Sequence, residues 1–196
     1  RQTRYPSRGW VELRLVIECK HSNKPWLMFT GDTKFHKSQP HFEALDIIEY
    51  GGAKLVAARA ADELPVISYV GDIAYRITTA HMTQADARDD AFAAVQQVNG
   101  AVLGVKRDLV SQEEYFGDPM AVVLVPVVVT DSPLVDCRLG ATGEIVPTVV
   151  DKSLLLTRLR AEDRLHAVWI VNGAALPEFV ELARTTANNM TLSVPS

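Results

Sequence analysis

The ten residues from Ala121 to Thr130, AVVLVPVVVT, carry no charge, and only Pro126 and Thr130 fall outside the aliphatic class. A run this apolar and this rich in valine has no face to offer to water. It fits a strand covered on both sides, and such a strand lies in the interior of a sheet with other elements packed above and below it. As a helix it falls far short of the roughly 20 residues needed to cross a bilayer. The rest of the chain must therefore supply neighbouring strands and covering helices.

Trp10 to Cys19 reads as one such strand, preceded by the turn-like Ser7-Arg8-Gly9. Val11, Leu13, Leu15 and Ile17 are apolar and odd-numbered, whereas Glu12, Arg14, Glu18 and Lys20 are charged and even-numbered. This period of two sends one set into the core, Cys19 included, and the other to an open face. After Pro25, Trp26 to Thr30 is a short extended segment that would form a hairpin with the first strand. Residues 41–64 suggest one or two helices broken at Gly51-Gly52, and Pro65 to Val70 a short strand. From Asp86 or Asp89 to Leu103 the apolar spacing is helical, with acids at the start and Gly104 closing it. Leu134–Leu139, Glu144–Val150 and Leu154–Arg160 look like a strand meander, followed by a strand over His166–Val171. Leu176–Ala187 is an amphipathic helix with Pro177 in its first turn. Strands mixed with helices around one buried strand predict an α/β chain with a mixed central β-sheet flanked by helices, ending in a C-terminal strand meander and helix. With 196 residues and no linker or repeat, a single domain over 1–196 is expected, its core in 10–135 and its C-terminal part in 136–196.

Cys19 and Cys137 lie far apart in strand-like segments, which suits reduced thiols in a cytoplasmic protein better than a disulfide framework. There is no Cys-x-x-Cys, and His36 and His41 lack the spacing of two ligands on one helical turn, so zinc is not expected. No signal peptide or membrane-spanning segment is legible, and a start at Arg1 rather than Met suggests a fragment. The net charge of −4 argues against a free-standing, strongly nucleic-acid-binding domain. The charge is unevenly spread, however. Residues 1–40 hold eight Lys or Arg against three acids, a balance of +5 that leaves −9 for the remainder.

The positive end contains Glu18-Cys19-Lys20 at the close of the first strand. Two residues apart on a strand, Glu18 and Lys20 point to the same face, roughly 6.5 to 7 Å apart along the backbone. A carboxylate binds a hard cation such as Mg²⁺, and a nearby lysine can orient the attacking water or neutralise phosphate charge. The Cys19 carbonyl, lying between the two side chains, is a candidate second metal ligand. A second triplet, Asp32-Thr33-Lys34, sits in a glycine-initiated turn and reads as an ordinary surface loop.

The segment LRLVIECKHSNKPW, a strand ending in Glu-Cys-Lys and a polar residue, resembles the core of the PD-(D/E)XK, or restriction-endonuclease-like, nuclease superfamily. Asp89 to Val98 is similar to the helix that follows the motif in that superfamily, and Val123 to Leu134 to the central strand after it. The resemblance implies Mg²⁺-dependent cleavage of nucleic acid, with Mn²⁺ as the alternative cofactor; DNA is the expected substrate, and the sequence leaves RNA open. It makes Glu18 the metal ligand and Lys20 the residue that positions or activates water. Gln97, beside Gln96 on the helix, becomes a polar side chain directed to the site. A further acid is expected on a preceding strand, and here only Glu12 precedes Glu18, about 20 Å away along a continuous strand and too far to share its metal. The acid would then lie upstream of Arg1, come from elsewhere in the chain, or be absent from a degenerate nuclease; the first is expected here, and with it the absence of the fold's first helix and strand. DNA affinity would be shared with a second subunit or additional domains. The competing reading is a non-catalytic module for nucleic-acid binding or assembly. A small-molecule-binding domain lacks support, since no glycine-rich phosphate loop or nucleophile motif is present.

Bland readings stand beside the remaining candidates. Gln96 and Gln97 fit solvent exposure, His21 a strand-end residue, Asp131 before Ser-Pro ordinary turn chemistry, and Trp26 a core anchor rather than a base-stacking platform.

Overall fold

A computed structural model describes residues 9–31, 44–56, 63–68, 72–80, 89–111, 118–140, 142–158 and 164–193. Its strands are β1 (Trp10–Lys20), β2 (Trp26–Thr30), β3 (Asp46–Tyr50), β4 (Lys54–Val56), β5 (Ile73–Thr79), β6 (Met120–Thr130), β7 (Leu134–Leu139), β8 (Ile145–Val150), β9 (Lys152–Arg158), β10 (Leu165–Asn172) and β11 (Thr191–Ser193). Two helices, α1 (Asp90–Ser111) and α2 (Leu176–Asn189), flank a mixed sheet. Among the described residues no helix is long and apolar enough to cross a membrane.

The valine-rich run is the axis of this sheet, and every residue of β6 is buried. β1 lies parallel along one side of it over its whole length. The other side is shared by β3, antiparallel to Met120–Leu124, and β10, parallel to Val127–Thr130. Odd-numbered residues of β6, Val123 to Val129, pack with Trp169 and with Phe179 and Ala183 of α2. Even-numbered ones face α1: Val122 and Leu124 meet Val102 and Leu109, and Val128 joins the cluster of Ala91, Ala94, Val95 and Val98.

From β6 the ladder runs through β10, β9, β5, β2, β7 and β8. β1 and β2 are therefore five strand spacings apart in the ladder, about 24 Å if the sheet were flat. The six Cα-to-Cα steps from Lys20 to Trp26 reach at most about 22 Å, so the sheet must curl. Hydrogen bonds show the corner where it does. Ser132 Oγ donates to the Ser22 carbonyl at 2.8 Å, Trp26 N–H to the Pro133 carbonyl at 2.9 Å, and Asn172 Nδ2 to the Ser132 carbonyl at 3.2 Å. The connectors β1 to β2, β6 to β7 and, through Asp151 alone, β8 to β9 all come to this corner, where Asn172 N–H donates to the Asp151 carbonyl at 2.8 Å.

Several expectations are corrected. The hairpin of β1 with β2 does not form: β2 pairs with β5 and β7 because the corner carries it away from β1. Of the helices expected in 41–64, the described residues 44–56 form β3 and β4 instead, and 41–43 and 57–62 lie outside the described residues. Asp46, Ile48 and Tyr50 alternate inward, and Gly51 and Gly52, with φ of 59° and 74°, supply the left-handed turn between the strands. In place of a strand over Pro65–Val70, Leu64 to Ser68 make a turn closed by Ile67 N–H on the Leu64 carbonyl, with Tyr69 and Val70 outside the described residues. Gly104 does not end α1, which continues to Ser111 because Leu109 still packs on the start of β6. In the meander β7 and β8 do pair, but β9 joins β10 and β5 instead of β8.

Candidate active site

Val16, two residues before Glu18, packs against both apolar clusters that α1 makes with the sheet. By parity Glu18 and Lys20 share its side of β1 and face the α1 layer, level with Val128 and Thr130 of β6. Lys20 Nζ lies 3.0 Å from Glu18 Oε1, and the two side chains are 29% and 30% exposed. The shared face expected from the spacing is thus present, at the end of a strand anchored along all eleven residues to the buried centre of the sheet. Glu12 forms an ion pair with Arg14 at 2.6 Å on the same strand.

The expected burial of Ile17 and Cys19 is not observed: Ile17 is 44% exposed and Cys19 is exposed. Val11, Leu13 and Leu15 do pack on the cluster containing α2 and Met190. That cover ends before Ile17, so parity directs the last two side chains to the core side of the sheet where the described residues offer no core.

Gln97 and Gln96 are exposed on α1. The Asp89 carboxylate, which caps this helix, accepts from Thr79 N–H at the corner, while Val102 and Leu109 pack on Met120 to Leu124. α1 therefore runs antiparallel to β1 and β6. Gln97 precedes Val98, whose cluster includes Val16, so it is level with that part of β1; among the described residues no hydrogen bond ties it to Glu18 or Lys20.

Beyond Lys20, the His21 imidazole Nδ1 meets Asp131 Oδ2, and Ser22 N–H donates to Asp131 Oδ1 at 3.3 Å. The His21 contact holds the Asp131 carboxyl below its ordinary value, against partial desolvation and with help from the Ser22 N–H. Both side chains are exposed. The pairing of residues 110 apart had no signature in the sequence beyond each residue's place at a strand end. Trp26 is fully buried as a core anchor, as expected. Asp32, Lys34, His36 and His41 lie outside the described residues.

Among the described residues no group of three or more His, Cys, Asp or Glu side chains is gathered to hold a metal. A separate cleft of about 300 Å³ opens where β5 and β9 part, lined by Tyr75, Arg76, Asp89 and Phe92 among others, and it includes neither Glu18 nor Lys20. No family model, curated protein or solved structure matches the chain.

Proposed function

We propose that the chain is a restriction-endonuclease-like, metal-dependent endonuclease domain that hydrolyses phosphodiester bonds in DNA, acting in restriction or phage defence. The observation that carries this reading is the placement of Glu18 and Lys20, side by side and partly shielded, on the α1 side of a strand parallel to a fully buried neighbour. In chain order the Glu-x-Lys strand precedes α1 and α1 precedes the buried parallel strand β6, as in the superfamily that LRLVIECKHSNKPW resembles, with β2 to β5 inserted between β1 and α1.

Mg²⁺ takes oxygen ligands and commonly keeps several waters, needing one or two protein carboxylates plus substrate phosphate. Glu18 and the Cys19 carbonyl fit this donor chemistry. When bound there, the metal would supply charge for the phosphoryl oxygens and acidify a water. Lys20, within hydrogen-bonding distance of Glu18, would orient an attacking water or offset phosphate charge, and Gln97 would be the polar group on the facing helix. The test is DNA cleavage with Mg²⁺ by wild type, Glu18→Ala and Lys20→Ala. Each variant is expected to lose at least about 100-fold in rate; equal cleavage by all three sinks the assignment.

A second reading, a catalytically degenerate module for nucleic-acid binding or assembly, is favoured by one observation. Glu12, the other acid of β1, is engaged by Arg14, and no third ligand gathers around Glu18 among the described residues. DNA binding that is unchanged by Glu18→Ala, with no cleavage by any form, would select it.

A further inference from the structure

Among the described residues no strand pairs with the outer side of β1, although this strand is eleven residues long and contains neither proline nor glycine. Open edges of that length are usually blunted by proline, a bulge or an excess of lysine, because unpaired N–H and C=O groups recruit other strands. β1 has none of these. Its four charges are two acids and two bases, and its last odd-numbered residues, Ile17 and Cys19, are exposed.

We propose that β1 pairs antiparallel with β1 of a second copy about a two-fold axis at Val16, joining the two sheets into one. In that register Glu12 opposes Lys20 of the other copy and Arg14 opposes Glu18, so all four cross-strand charge pairs are attractive. On the opposite face Leu15 meets Ile17 and Leu13 meets Cys19, which covers the two side chains that the fold leaves open. Even-numbered residues pair with even-numbered ones, so both copies of α1 lie on one face of the joined sheet and both copies of α2 on the other. The register is selected against its neighbours. A slip of two residues opposes Glu12 with Glu18 or Arg14 with Lys20, and a slip of four sets Arg14 or Glu18 against itself. The proposal does not rest on the nuclease reading, since pairing needs no metal or cleavage, but it shares Glu18 and Lys20 with that site, so it is tested by association and cross-linking and not by activity.

Two measurements on the whole chain test it. Directly opposed residues in an antiparallel pair have Cα atoms about 4.5 to 5.5 Å apart, within the range a disulfide needs. Leu13→Cys should therefore cross-link to the native Cys19 of the other copy under mild oxidation. Leu15→Cys, diagonal to that Cys19, should not, and neither should wild type, whose two Cys19 residues are about 20 Å apart across the axis. In sedimentation, wild type should dimerise, Glu12→Lys should weaken self-association about tenfold, and Glu12→Lys combined with Lys20→Glu should restore it. A wild-type chain that stays a single copy at the concentrations used for cross-linking overturns the proposal. So does a dimer indifferent to the charge reversal, or one that cross-links equally through Leu13→Cys and Leu15→Cys.

Discussion

Asp46 offers the sharpest test of how this sheet is tied to its helix. It is 4% exposed in β3, yet it is charged: Lys106 Nζ of α1 donates to Oδ1 at 2.6 Å and Arg164 Nη2, just before β10, at 2.5 Å. Burial pushes its carboxyl up, and the two cationic hydrogen bonds more than offset this and hold it below the ordinary carboxylate value. Asp46→Ala removes two charge-assisted bonds, but Lys106 and Arg164 are 38% and 33% exposed and regain water, so the loss should be only about 2 kcal/mol. Lys106→Met with Arg164→Met is the more damaging change despite leaving the acid in place. It strands a buried carboxylate without a cation and should cost about 3 to 5 kcal/mol at pH 7.

The two variants also differ in their pH dependence. A carboxyl whose folded pKa is depressed contributes stability that is fully present above its unfolded value, about 3.9, and is lost as pH falls through the folded value. Without the cations, burial raises the folded pKa instead, and protonation relieves the stranded charge. The gap between wild type and the double variant should therefore be widest near pH 7 and shrink as pH falls toward 4. Urea unfolding of all three proteins at both pH values measures it. Equal losses for Asp46→Ala and the double variant at pH 7, or a gap that does not change with pH, would refute the account.

Asp89 Oδ1 accepts from Phe92 N–H at 3.1 Å and from Thr79 N–H at 3.0 Å, so Asp89→Ala removes both the α1 cap and its tie to β5 and should cost about 1 to 2 kcal/mol in denaturant unfolding. Asp89→Asn should recover most of that loss. Thiol labelling of the native protein, diluted until it is a single copy, should modify Cys19 rapidly and Cys137 slowly, since Cys137 is buried and its burial, with Asp136 nearby, pushes its thiol pKa up. Rapid labelling of Cys137 would contradict the β7 register.

What the sequence made legible is what one segment decides alone. β6 was readable because both of its faces are apolar, and the common face of Glu18 and Lys20 because strand parity is a local rule. Partners were not readable. Nothing in His21 to Pro25 says that the chain turns a corner instead of a hairpin, because the corner is held by Ser132 and Asn172, more than 100 residues away. β3 was misread as helix because adjacent Ile47 and Ile48 fit either period, and its buried Asp46 becomes intelligible only beside Lys106 and Arg164. Ile17 and Cys19 failed for the same reason: parity gives a direction, while cover comes from where another element happens to end.

The contrast between β1 and β6 carries the argument one step further. The two strands lie in register over eleven residue pairs, and β6 has no charged residue while β1 has four. A strand enclosed on both faces could not hold those four charges without a partner for each, since burying an ion unpaired costs several kcal/mol. Their presence in β1 marks a boundary of the core. The same boundary position accounts for the open carboxylate and ammonium on one face and for the uncovered Ile17 and Cys19 on the other. Chemistry and association are therefore both to be sought on β1.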